Sequence, residues 1–150
     1  MILYIAGPMT NIPQFNLPQF NAVAQWLRAE GHEVISPVEL DSPAMREAAW
    51  RSADGKWDHT QPAPGSNETW GVVLGRDVAV VADTVDGVAL LPGWEVSKGA
   101  RLEAFTALLC GKKLFLVVPS QVPGEWFLEH YPSSDVLLDI ALSFDFNPGV

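Results

Sequence analysis

Apolar residues in this chain come in short blocks, each ended by proline or glycine. Residues 1–6 form the first block and stop at Gly7-Pro8, which reads as a buried strand. Residues 9–18 are a loop, and Pro18 suits the first turn of a helix. Phe20, Val23, Ala24 and Leu27 then recur at helical spacing until Gly31. Residues 32–36 make a second strand, stopped by Pro37. Strand, helix and strand of this length predict a right-handed parallel crossover. Ligands bind such sheets beyond the carboxyl ends of the strands. The loops at 7–11 and 92–97 both leave such ends and are expected to face one crevice.

The second half repeats the alternation. Residues 67–82 predict a helix carrying Arg76 and Asp77, and residues 85–91 a third strand broken by Pro92-Gly93. Ser97 is a candidate N-cap for a helix bearing Ala100, Ala104, Ala107 and Leu108. Gly93 and Gly99 leave room for a ligand near the backbone, and a helix start attracts anions. Glu103 sits less than two turns into that helix, where the helix start favours an ionised carboxylate. Taken alone, Glu103 reads as a solvated charge, as most helix carboxylates are. Residues 113–118 predict a fourth strand, 120–132 irregular chain, and 135–143 a last helix. Residues 42–71 are the least regular, with a short helix at 44–52 and a long loop or lid after it. Trp50, Trp57 and Trp70 suggest that this loop packs onto something. The expected fold is a single three-layer α/β domain over residues 1–150, Rossmann-like in the flavodoxin manner. Its sheet should have four or five mainly parallel strands.

Composition narrows the partners. Nine basic residues against eighteen acidic ones give a formal charge of −9, which argues against polymeric nucleic acid. No apolar run reaches the ~20 residues of a membrane span, and the start does not resemble a signal peptide. A cytoplasmic location is the default expectation. The single Cys110, among apolar neighbours, reads as a core thiol. His59 stands alone, and no Cys, His and Asp cluster has metal-ligand spacing, so neither metal nor cofactor is expected. Neither generic nucleotide fingerprint, G-x-G-x-x-G or G-x-x-x-x-G-K-[ST], is present.

The run Tyr4-Ile5-Ala6-Gly7-Pro8-Met9-Thr10, with Phe15-Asn16, Phe20-Asn21, Gly31-His32-Glu33-Val34 and Ser36-Pro37, resembles the DUF4406 family. Arg76-Asp77 and Leu91-Pro92-Gly93-Trp94-Glu95, then Ser97, Gly99-Ala100 and Glu103, continue the resemblance. These are small proteins, common in phages, of the nucleoside 2-deoxyribosyltransferase-like superfamily. The similarity spans roughly residues 1–40 and 75–118, leaving out the middle loop and the tail after Pro119.

By resemblance, Glu103 is the nucleophile that attacks the anomeric carbon of a sugar, and Asp77 holds the sugar hydroxyls, with Asp86 as an alternative. The spacing from Ser97 to Glu103 resembles that of deoxynucleoside 5′-monophosphate N-glycosidases, where the Ser and glycine amides surround the phosphate. Related transferases more often carry Asp where Ser97 stands, which favours a nucleotide substrate and hydrolysis. An N-cap role explains Ser97 equally well. Tyr4, Gly7, Met9, Phe15 and Trp94 are candidates for the rest of the substrate slot, although core packing also accounts for the apolar ones. Asp77, Asp86 and Glu95 remain open as the acid that protonates the leaving base. The resemblance also implies a homodimer or larger homo-oligomer. A binding module that keeps the nucleotide crevice without turnover is the competing expectation.

Overall fold

A computed structural model describes residues 1–143. Strand β1 (Ile2–Ala6) pairs parallel with β2 (Glu33–Ile35) on one side and β3 (Gly87–Leu90) on the other. Strand β4 (Lys113–Pro119) lies parallel to β3, and β5 (Trp126–His130) closes the edge antiparallel to β4. The order is β2-β1-β3-β4-β5, a mainly parallel α/β sheet with helices around it.

Alternation along β1 divides the core. Leu3 and Ile5 pack with Phe20, Val23 and Leu27 of α1 (Leu17–Ala29). Tyr4 and Ala6 join the opposite cluster, built from α4 (Trp70–Asp83), α5 (Lys98–Leu109) and α6 (Ser133–Ser143). Each fully buried Leu, Ile or Phe contributes about 1.5–3 kcal/mol, so the two faces together hold the three layers. Helix α5 meets the sheet through Ala100, Ala104 and Ala107, all buried. Glu103 lies three residues after the first and four before the last, on that same inward face.

Several expectations change. Residues 120–132 are not irregular throughout, because β5 forms within them after a turn at Pro123-Gly124. An edge strand keeps one row of backbone groups open and needs no continuous apolar run; residues 126–130 are in fact mostly half-exposed or exposed. Cys110 is exposed, not a core thiol. It follows the last residue of α5, where its neighbour Leu109 is also exposed. Pro37 does more than end β2, since it opens the short α2 (Pro37–Leu40).

The middle segment is folded against its surroundings. Helix α3 (Pro43–Arg51) is capped by Ser42, whose hydroxyl oxygen accepts from Met45 N. Past α3, Gln14 N donates to Ser52 O at 2.8 Å and Asn11 N to Gly55 O at 2.9 Å. These bonds fasten the loop after β1, in which Asn11, Gln14, Phe15 and Asn16 all have positive φ. Such a run of non-glycine residues needs tertiary support. Gly55 and Gly65 are close-approach points. A Cβ on Gly55 would lie 1.9 Å from Ile12 O, and one on Gly65 2.5 Å from Ala44 O.

This packing makes Gly55→Ala a sharper lesion than Gly31→Ala. Both glycines have positive φ, but nothing lies within 4 Å of a Cβ on Gly31. Gly31→Ala should cost about 1–2 kcal/mol for the left-handed backbone alone. Gly55→Ala should cost clearly more in urea unfolding, because the contact with Ile12 adds to the strain. Equal losses would show that the two loops are not clamped together.

Candidate functional site

A cavity of about 830 Å³, its open mouth included, lies beyond the carboxyl ends of β1 and β3. It sits where the strand order changes direction, between β1 and β3. Gly7, Met9 and Thr10 reach it from the loop after β1. Ser97, Gly99 and Glu103 reach it from the start of α5, so the two expected loops do share one crevice. Gly7 is required at this corner, since a Cβ there would come within 2.7 Å of Leu91 Cβ.

Glu103 is only 6% exposed. Its Oε1 accepts a 2.8 Å hydrogen bond from the Tyr4 hydroxyl, which rises from the middle of β1. Asp77, on α4, is also buried and faces the same cavity. Asp77 Oδ1 accepts from Arg76 Nε at 2.8 Å, and Arg76 Nη1 also bonds Asp41 Oδ1 at 2.9 Å. Arg76 Nη2 is buried with no hydrogen-bond partner. Two carboxyl groups thus bond one guanidinium while Glu103, close enough to feel its charge, does not, and one buried donor of Arg76 stays unpaired.

The electrostatics follow from that count. Burial pushes the Glu103 carboxyl well above its ordinary value of 4.5, and the charge of Asp77 pushes it further. The Tyr4 hydrogen bond opposes this without cancelling it. Asp77 is raised by burial too, but Arg76 holds it back. Asp41 is likewise raised by burial against the pull of Arg76. Glu103 has no cation bonded to it, so of the three carboxyl groups it is the one most strongly biased toward its protonated form. The position of Glu103 in the sequence suggested that the helix start favours its ionised form; its burial acts the other way and favours the protonated one. It is not a solvated charge.

Among the sequence candidates, Tyr4, Gly7, Met9, Phe15, Asp77, Ser97, Gly99 and Glu103 are brought together at or against the cavity. Asp86 lies at the opposite end of the sheet, accepting the Ile2 amide at 2.7 Å. Trp94 is buried in the core beside Tyr131, 6.0 Å between rings, and Gly93 forms the left-handed turn before it. Glu95 is not among the lining residues. The Ser97 hydroxyl oxygen caps α5 by accepting from Ala100 N at 3.2 Å. Asp41 went unnoticed because it opens the irregular middle of the chain. Its place just after the helix that follows β2 was the available signal, since that is a ligand-facing edge. Trp57 and Trp70 line the cavity, whereas Trp50 is exposed. Among the described residues, no group of His, Cys, Asp and Glu is arranged to hold a metal ion, and no helix is long and apolar enough to cross a membrane.

The family model described as "Domain of unknown function (DUF4406)" matches residues 1–56 and 65–116. The chain belongs to the DUF4406 family. The match takes in Tyr4, Asp41, Arg76, Asp77, Ser97 and Glu103, and most of the middle segment that the resemblance had left out. No curated protein matches the chain.

The buried carboxyl makes a stability prediction with a definite sign. Glu103 binds a proton more readily folded than unfolded, so folded chains hold more protons from pH 4.5 up to its raised value. Stability should therefore fall as pH rises through that window. Glu103→Gln keeps the shape and can still accept from Tyr4, but it cannot ionise. In thermal unfolding at several pH values, the variant should show a shallower fall and a higher Tm than wild type on the alkaline side. Some slope should remain from Asp41 and Asp77. Parallel curves for the two proteins would mean that Glu103 is not titrating from a buried, protonated state.

Proposed function

We propose that this protein cleaves the N-glycosidic bond of a 2′-deoxynucleoside 5′-monophosphate or deoxynucleoside, as a member of the nucleoside 2-deoxyribosyltransferase-like superfamily. The observation that carries the reading is the buried Glu103, oriented by the Tyr4 hydroxyl and flanked by Asp77 in a cavity at the strand ends. An oxocarbenium-like transition state gains from a positioned carboxylate, which can also trap the sugar covalently.

Protons balance without a cofactor. Burial and the charge of Asp77 favour the protonated form of Glu103 in the free site. As the bond between the anomeric carbon and the base nitrogen breaks, the Glu103 proton is relayed through Asp77 to the base, which leaves from the face opposite Glu103. The carboxylate so formed bonds to the anomeric carbon. Water then opens the glycosyl ester, returning a proton to the carboxyl and releasing the sugar with retained configuration. Another base in place of water would make the reaction a transfer. Asp77 orients the sugar hydroxyls, held in turn by Arg76 and Asp41. Three carboxyls around one guanidinium disfavour a dianion, so a 5′-phosphate belongs at the Ser97–Gly99 turn and the amides of α5.

One observation favours a second reading, a nucleotide-binding module without turnover. Burial favours the neutral form of Glu103, and a neutral carboxyl is a poor nucleophile and a good hydrogen-bond donor. The partner in both readings is a small deoxynucleotide or deoxynucleoside. Leu102, Phe105 and Leu109 of α5 are exposed, which supports a homodimer with a second copy against that helix. Light scattering at micromolar concentration should give a dimeric mass; a monomeric mass opposes the assembly.

The deciding experiment is incubation with a panel of deoxynucleoside monophosphates and nucleosides, watching for free base. Wild type should release base, with kcat/KM falling as pH rises through the raised Glu103 value, because the reaction starts from the protonated carboxyl. Glu103→Gln should release none. Nucleotide binding without release by wild type would favour the binding module.

Ser97→Ala tests the phosphate. Loss of a charge-assisted hydrogen bond should weaken monophosphates about tenfold or more and leave nucleosides nearly unchanged. Equal losses would make Ser97 a helix cap alone, and the nucleoside the better substrate.

A further inference from the structure

Residues 57–64 are the internal stretch that the family match leaves out, yet they build part of the cavity wall. Trp57, Ala63 and Pro64 line it, with Trp70 just beyond. The stretch has its own internal bonds. Trp57 Nε1 donates to Gln61 O at 3.0 Å, and Ala63 N to Glu68 O at 2.8 Å. Thr60 N donates to Asp58 Oδ1 at 2.9 Å, fixing the turn between them.

Three rings interlock here. His59 lies flat on Trp70, with centroids 3.8 Å apart and planes 8° from parallel. Trp57 stands beside this stack, nearly perpendicular to both rings, 5.3 Å from Trp70 and 4.9 Å from His59. One face of Trp70 is thereby covered. No ring lies parallel to Trp57 among the described residues, and its only polar atom is already bonded. Trp57 therefore offers the cavity apolar aromatic surface alone. Phe15, Met45 and Ala49 extend that apolar side, while the hydrogen-bonded charges are on Asp41, Arg76 and Asp77, beside Glu103. A ligand filling this cavity needs a polar portion and a flat, apolar-faced one.

We propose that Trp57 determines specificity for the leaving base, packing its ring on the planar heterocycle, so that residues 57–64 set the base preference particular to this chain. The proposal rests on the glycosidase reading for the identity of the ligand. Its own content is the base-dependent contact, which does not require turnover.

The test measures affinity of the four common deoxynucleoside 5′-monophosphates, and of 2-deoxyribose 5-phosphate, for wild type, Trp57→Ala and Trp57→Phe. The sugar phosphate lacks the base and reports any general damage to the pocket. Trp57→Ala should weaken the tightest-binding monophosphate about tenfold or more and change the ranking of the four, since stacking strength differs between rings. Binding of 2-deoxyribose 5-phosphate should be unchanged, and Trp57→Phe should keep most of the nucleotide affinity. Should Trp57→Ala fail to fold by circular dichroism, Trp57→Leu replaces it as the apolar, non-planar comparison. Equal losses for nucleotide and sugar phosphate, no loss for either, or no nucleotide binding by wild type would overturn the proposal. Base release by wild type is followed in parallel. Base-dependent loss without any release refutes the glycosidase and leaves Trp57 as the base platform. Release with no base-dependent loss refutes Trp57 and leaves the glycosidase.

Discussion

The structure around the cavity depends on one guanidinium serving too many carboxyl groups. Arg76 bonds Asp77 and Asp41 at once, and Glu103 receives only a phenol. Taking three carboxyl groups out of water beside one cation is unfavourable unless a proton stays behind. The bias toward a protonated Glu103 ties fold stability to pH, while Tyr4, whose phenol is kept neutral by burial, donates to the carboxyl oxygen. The neighbouring alanines of α5 contribute by bringing that helix, with its carboxyl, close to the sheet.

Much of this was legible in the sequence because the parallel strands are short apolar runs with proline or glycine at their ends. Residues 1–6, 32–36 and 85–91 could be placed within a residue or two, and with them the edge where ligands gather. Glu103 was legible as a candidate but not as a buried group. A single carboxylate on a helix looks like any other until its spacing to Ala100 and Ala107 is set against the face that meets the sheet. Strand β5 was not legible, since an antiparallel edge strand with Glu129 and His130 lacks the pattern of a buried one. Cys110 misled for the opposite reason: apolar neighbours in sequence say little at the end of a helix, where the chain turns outwards.

The middle of the chain shows where sequence reading stops. Its glycines, prolines and aspartates mark turns, but nothing in them tells which surface the turns rest on. Two backbone bonds to the loop after β1, and a salt bridge from Asp41 to Arg76, supply that information. Both join segments far apart in the sequence, and such pairings leave no local periodicity.

The two close-contact glycines give this middle region a modular character. Gly55 and Gly65 each press against a carbonyl of a neighbouring element, at Ile12 and Ala44, and the residues between them include the whole stretch that the family match passes over. Pinned at both ends, the intervening chain can change length and composition while its anchor points stay in place. The carboxyl cluster is held from α2, α4, α5 and β1, and meets this stretch through Trp70 at the start of α4. Such an arrangement sets the carboxyl cluster apart from the stretch that the family match passes over, and lets the second vary with limited effect on the first.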